Sequence, residues 1–267
     1  MFQTWAKDCD KFFFVTKMDN NMTTNISHEF TNPFPILQPA NHQVEVYGKL
    51  TDKVYKTLRD VYLRYNDYDW YLKADDDTFI FIDNLKSFLK TKNSTQPVTY
   101  GFDFKTIVDH GYHSGGAGYV LSSEALKRIG PKLSPGDSFC PNSGTEDVDI
   151  AKCLRKVGVY PDKSIDEKGR ERFHPFDVAT HLIGGFPNWY FQYASNPVQK
   201  VSFFYKNSFT IDCVWIVLVF EKFNTFCNKI CKKIYQIELS KLIKNQFMLQ
   251  RKLSVDIELI DTKITIF

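Results

Sequence analysis

The sequence predicts an α/β domain, a sheet flanked by helices, on three observations. Short apolar strand-forming runs recur along the chain, helical stretches with one apolar face fall between them, and 267 residues suffice for a sizeable core. The first strand is "KFFFVT" (Lys11 to Thr16), read as buried, and the Asn/Thr-rich "MDNNMTTNISHEFTNPFP" soon after it as a loop. From Gly48 to Tyr65, Leu50, Val54, Leu58 and Val61 fall at spacings of four, four and three, an amphipathic helix. "WYLKA" is the next strand, followed by a short helix around Asp83 to Lys90. "VTYGFDF" (Val98 to Phe104) and "AGYVLS" (Ala117 to Ser122) are further strands, the second leading into a helix, "SEALKRIG", closed by Gly130. In "SGTEDVDIAKCLRKVG" (Ser143 to Gly158), Thr145 is the expected N-cap, with Ile150, Leu154 and Val157 as the apolar face and Gly158 closing the helix. Beyond Pro175 the chain turns aromatic and irregular, and after about Phe209 it becomes Lys/Ile/Asn-rich without clear punctuation.

A formal net charge of +3, with no dense basic stripe, argues against nucleic acid as a partner. The six cysteines show no CxxC pair, and Cys227/Cys231 has no nearby histidine, which argues against structural zinc. Acceptor sequons at Asn21, Asn25 and Asn93 suit a secretory-pathway protein. The opening "MFQTWAKDCDKFFFV" shows no signal peptide, and "CVWIVLVF" (Cys213 to Phe220) is much shorter than the roughly 20 residues of a spanning helix.

Three consecutive carboxylates, Asp75, Asp76 and Asp77, follow a strand directly. Like charges repel, so something positive is expected beside them, and a D-x-D of this kind suits a hard divalent cation such as Mn²⁺ or Mg²⁺ shared with a diphosphate. A solvated acidic turn is the plainer alternative. Gly115, Gly116 and Gly118 would let backbone approach a ligand, or simply form a tight turn. Glu146 and Asp147 at a helix start could supply a general base, or merely complement the helix dipole. Cys140 and Cys153 flank that segment, where a disulfide would pin the helix start. His113, His174 and His181 each read as structural, while Trp189, Tyr190 and Tyr193 fit either a sugar-stacking platform or ordinary packing.

In this order, "TWAKDCD", "DWYLKADDDTFIFIDNL", "GYHSGGAGYVLSSEALKRI", "EDVDIAKCL", "RFHPF" and "HLIGG…WYFQY" closely resemble the core 1 β1,3-galactosyltransferases of the β3-glycosyltransferase family, which includes the fringe proteins. The resemblance spans roughly Thr4 to Tyr205. It implies a GT-A-type fold, a mixed central sheet flanked by helices, in a type II Golgi membrane protein with a luminal catalytic domain. Such enzymes transfer galactose, with inversion, from UDP-galactose to GalNAc α-linked to Ser or Thr on a glycoprotein, using Mn²⁺, and they form homodimers. By that resemblance Asp75 and Asp77 contact the metal, and Asp75, Asp76, Asp77, Gly115, Gly116 and Gly118 line the donor site. Asp147 is the catalytic base, Glu146 helps position the acceptor, and Trp189 with Tyr190 contacts the acceptor sugar.

The family also carries a membrane anchor, a stem and a first nucleotide-binding strand ahead of "TWAK", which Met1 almost abuts here, so the catalytic domain, residues 1–205, is expected to be N-terminally incomplete. A metal-ligating histidine is expected in "VSFFY" (Val201 to Tyr205), where Phe204 stands. Residues 206–267 read as a divergent tail. These departures keep open a catalytically impaired paralogue that acts as a chaperone or binding protein. A metal-dependent hydrolase built on the triplet would explain neither the glycine turn nor the aromatic segment.

Overall fold

A computed structural model of the protein describes residues 5–16, 35–37, 39, 47–134, 137–177, 180–181, 184–197, 217–219 and 264–266. Asn21, Asn25, Phe204 and most of the 206–267 tail lie outside them. Met1–Phe220 with Thr262–Phe267 forms one compact unit, and Glu221–Asp261, none of it described, a second.

The first unit is built on a mixed sheet with helices on its faces, the GT-A-type arrangement. Its strands run in the order β1 (Lys11–Phe12), β12 (Ile264–Ile266), β4 (Trp70–Lys73), β9 (Tyr119–Ser122), β6 (Val98–Gly101), β10 (Tyr160–Pro161). Pairing is parallel from β1 through β12 to β4, antiparallel from β4 through β9 to β6, and parallel again to β10. The helices are α1 (Leu50–Arg64), α2 (Ile82–Leu89), α3 (Ser123–Ile129), α4 (Glu146–Lys156) and α5 (Asn188–Tyr193).

The central strands β4 and β9 are buried throughout because each feeds two cores. Side chains alternate across a strand. Trp70, Leu72 and Val120 therefore enter one core with Leu85 and Leu89 of α2, while Tyr71, Tyr119 and Leu121 enter the other with Leu58 of α1, Leu126 of α3 and Ile150 of α4. Leu58 and Val61, wholly buried, each contribute about 1.5–3 kcal/mol.

Several expectations change in detail. "KFFFVT" splits at Phe13 into β1 and β2 (Phe14–Val15), both half-buried, because β1 is an edge strand and β2 pairs elsewhere, with β3 (Ile36–Leu37). "VTYGFDF" breaks at Phe102, and β7 (Asp103–Phe104) pairs with β8 (Tyr112–His113) in a separate ribbon. Gly130 is the C-cap of its helix as expected, but it keeps a right-handed backbone, at φ −50°, and the chain runs on into a 3-10 turn, Gly130–Lys132. Gly158, at φ +70°, does take the left-handed conformation that ends α4. The segment after Pro175, read as irregular, contains α5.

Candidate active site

Strand β4 ends at Lys73, and its alternation places Lys73 on the same face as Tyr71, toward α4. Directly across the ladder from Lys73 is Tyr119 of β9. The Tyr119 hydroxyl donates to Glu146 Oε1 at 2.5 Å, and Lys73 Nζ lies 3.7 Å from Glu146 Oε2. The same ammonium donates to Asp75 Oδ1 at 2.5 Å and to the Gly115 carbonyl at 3.2 Å. One buried cation thus joins the acidic triplet, the glycine turn and the start of α4.

Thr78, the first residue of β5 (Thr78–Ile80), supplies a second tie. Its Oγ1 accepts from the Asp75 amide and donates to the Gly116 carbonyl, each at 3.1 Å. Gly118 has φ +72°, and a Cβ there would sit 2.9 Å from the Lys73 carbonyl, so the turn requires glycine at that point. A Cβ on Gly115 would come within 3.1 Å of Glu146 Oε2, whereas one on Gly116 would meet nothing within 4 Å. The turn is therefore closed on the Glu146 side and open at Gly116.

At the start of α4 each acidic residue has its own partners. Glu146 is 4% exposed, with its oxygens toward Tyr119 and Lys73. Asp147 is half-buried, and its Oδ2 accepts from the Gly115 amide at 3.3 Å while Oδ1 accepts from Val148 at 2.8 Å. Asp149 is buried and accepts from the Ser143 and Gly144 amides and the Ser143 and Thr51 hydroxyls, which clamps the preceding loop to α1. Thr145 occupies the N-cap but makes no side-chain cap bond, and Asp149 reaches back to the loop amides instead. Cys140 and Cys153 are disulfide-bonded with a Cα separation of 4.9 Å, tying that loop to the middle of α4.

Burial alone would pull the Lys73 ammonium down, but Glu146 and Asp75 outweigh it and hold its pKa above the ordinary lysine value. Burial pushes the Glu146 carboxyl up, and Lys73 with the Tyr119 hydroxyl only partly restrains the shift. Asp147 is also raised by burial, against the pull of the Gly115 and Val148 amides. Asp77, exposed as a residue, is raised by partial desolvation of its carboxyl and then by the neighbouring charges of Asp75 and Asp76.

Asp76 and Asp77 are exposed and Asp75 is half-buried. The triplet thus carries three carboxylates against Lys73, a cation it shares with Glu146. Oxygen-only donors with unneutralised negative charge fit a hard divalent cation. Among the described residues no three His, Cys, Asp or Glu side chains form a ready-made metal cage, so a cation here would complete its shell with diphosphate or water oxygens.

Of the aromatics assigned to the acceptor, Trp189 is 44% exposed and Tyr190 is wholly buried, stacked on Phe186 and Phe102, so only Trp189 presents a ring to solvent. The two lie side by side on α5, where successive side chains face different ways. His113 is fixed between Thr99, 2.8 Å from Nε2, and Asp103, 2.7 Å from Nδ1. His174 and His181 are buried edge to face, with ring centroids 4.6 Å apart. Sequence reasoning missed Lys73, Tyr119 and Asp149. The available signal was a lysine inside the otherwise apolar "WYLK", since a lysine in a buried strand needs an anionic partner.

The chain is 40% identical over 163 residues to glycoprotein-N-acetylgalactosamine 3-beta-galactosyltransferase 1 of Xenopus laevis, which covers 57% of this chain and 45% of that protein. It is 32% identical over 114 residues to human chondroitin sulfate synthase 3, covering 39% and 12% of the two chains. To mouse beta-1,3-glucosyltransferase it is 30% identical over 124 residues, covering 45% and 24%. The chain therefore spans under half the length of these relatives. The Fringe-like family matches residues 1–164, which takes in the acidic triplet, the glycine turn and all of α4. With that match running through the whole cluster around Lys73, the chain belongs to the Fringe-like family.

Proposed function

We propose that the chain is an inverting β-glycosyltransferase that moves galactose from UDP-galactose, in β1,3 linkage, to GalNAc α-linked to Ser or Thr of a glycoprotein, with Mn²⁺ as its cation. One observation carries the reading: Lys73 ties Asp75 of the triplet to the Gly115 carbonyl of an open glycine turn and to Glu146 at a helix start, where the neighbouring Asp147 borders solvent and accepts from the Gly115 amide. The similarity to a Xenopus enzyme named for galactose transfer to N-acetylgalactosamine supports the donor and acceptor assignment.

Asp75 and Asp77 would hold the cation. When bound, it offsets the charge that develops on the departing UDP. The Gly115–Gly118 turn lies against the donor, and its open side at Gly116 lets backbone approach the diphosphate. Asp147 accepts the proton of the attacking acceptor hydroxyl, with its Oδ2 oriented by the Gly115 amide. Glu146 stays inside, where it holds Lys73 and Tyr119 in place. Trp189 offers the face on which the acceptor sugar packs. Attack by the acceptor and departure of UDP occur in one displacement, with no enzyme-bound sugar ester.

We read the location as the Golgi lumen. The Cys140–Cys153 disulfide supports an oxidising compartment. No helix among the described residues is long and apolar enough to cross a membrane, and a membrane anchor and a homodimer belong to the proposal as traits of the full-length protein. The test is transfer to a GalNAc-α-Thr peptide by folded protein, run with UDP-galactose, UDP-glucose and UDP-N-acetylglucosamine, with Mn²⁺ and with a chelator. Galactose transfer abolished by chelation is expected. Transfer of another sugar would overturn the donor assignment, and no transfer from folded protein with any donor would favour the binding-protein alternative.

A further inference from the structure

Asn93-Ser94-Thr95 is an N-x-T acceptor tripeptide in the turn between α2 and β6. Asn93 is exposed, and its side-chain oxygen accepts from both the Thr95 amide, at 3.0 Å, and the Thr95 hydroxyl, at 2.8 Å. The residue two positions on is thus already folded against the amide, with the hydroxyl that N-linked modification demands. No hydrogen bond among the described residues engages Asn93 Nδ2.

The middle residue carries the turn's attachment to the protein. Ser94 Oγ donates to Asp69 Oδ1 at 3.1 Å, and the Ser94 carbonyl accepts from the Ser123 hydroxyl and the Glu124 amide. The turn is therefore held through Ser94, and Asn93 can take a bulky substituent without breaking those bonds. Asp69 immediately precedes β4, and β4 and β6 run the same way because both are antiparallel to β9. Asn93 thus stands at the start of these strands, while Asp75 follows the far end of β4. A glycan at Asn93 would therefore stand at the strand end away from the triplet.

We propose that Asn93 is a site of N-linked glycosylation. The modification forms a bond from Asn93 Nδ2 to C1 of an oligosaccharide carried on a polyprenyl diphosphate. The C1–oxygen bond breaks, the lipid diphosphate leaves with the electron pair, and the amide proton passes to a base of the transferring enzyme. Of the proposed function, this site depends only on the luminal location.

The experiment puts the full chain behind a cleavable secretory leader in eukaryotic cells, so that the compartment is fixed by design. The secreted product is digested with peptide-N-glycosidase in ¹⁸O-water and mapped by mass spectrometry, with the Cys140–Cys153 disulfide as the check on folding. The expected result is ¹⁸O-aspartate at position 93, loss of one glycan from the mobility of N93Q and T95A, and its retention in T95S. N93Q is expected to keep galactose transfer within about twofold of the parent, because it lies at the opposite pole from the site. A disulfide-bonded product in which the peptide bearing Asn93 is wholly unmodified overturns the proposal. Because the leader fixes the compartment, the outcome at Asn93 is read independently of where the full-length protein resides, and a failure of the location reading is distinguishable from a failure at this site.

Discussion

The chain has two acidic clusters that meet at one lysine and differ in how their charge is met. At the start of α4, Glu146 and Asp149 are buried and Asp147 half-buried, and each has named donors. In the triplet, exposure increases from Asp75 to Asp77, and Lys73 reaches Asp75 while also serving Glu146. The α4 cluster spends its charge on holding the fold together. The triplet keeps charge in reserve, and that residue of unneutralised negative potential is what a cation and a diphosphate can use.

The largest effect expected from this contrast follows removal of the shared lysine. Lys73→Met leaves Glu146 buried without its cation and Asp75 without its hydrogen bond, and breaking a buried pair from one side costs about 3–5 kcal/mol. Urea unfolding should show that loss, and the double variant K73M/E146Q should recover a large part of it, because the stranded charge is gone. Equal stability of K73M and the parent would mean that the two clusters are not coupled through Lys73. If K73M does not accumulate, the double variant against E146Q alone still reads the coupling.

Next comes the disulfide, which belongs wholly to the α4 side. Its 13-residue separation corresponds to about 3 kcal/mol of loop-closure stabilisation. The C140A/C153A variant should unfold at lower urea with unchanged cation response. A cation response that disappears with the disulfide would show that the pinned helix start is part of the metal-responsive site, and that the two clusters do not divide fold from cation binding.

The third expectation concerns the triplet alone. Mn²⁺ at about a hundred times its dissociation constant should add about 2.7 kcal/mol, read as a rise in melting temperature. Asp75→Asn and Asp77→Asn should each abolish most of that rise, while Asp149→Asn should lower the melting temperature but keep the rise. A full Mn²⁺ response in D75N/D77N would place the cation elsewhere.

Most of the scaffold for this contrast was legible in the sequence because it is local. The spacing of Leu50, Val54, Leu58 and Val61 gives α1, the apolar run of "WYLK" gives β4, and the acidic start with Gly158 at the end gives α4. What was not legible depends on distant pairing. Lys73 and Glu146 are far apart in the chain and meet because β4 pairs with β9 and α4 packs over both. Asp149 reads as one more charge in a helix's first turn until the Ser143–Gly144 loop and Thr51 close around it. Likewise nothing in "ITI" announces that Ile264–Ile266 will sit between β1 and β4, since so short a strand has no periodicity of its own.

The smallest effect is the most discriminating, because it reverses the usual sign. Asp77 is held with its pKa above the ordinary aspartate value by partial desolvation of its carboxyl and by Asp75 and Asp76, so the folded protein keeps a proton there that the unfolded chain releases first. The stability this gives is full below about pH 3.8 and is lost as pH rises through the raised folded value, after which it stays lost. Asp77→Asn should therefore be slightly more stable than the parent at neutral pH without metal. Because Asp77 is exposed and solvent screens it, the gain should stay under about 0.5 kcal/mol. With saturating Mn²⁺ the order should invert, since the parent gains the cation and the variant does not. A variant less stable than its parent in metal-free buffer would mean that Asp77 already has a favourable partner, and the triplet would then resemble the α4 cluster instead of standing apart from it.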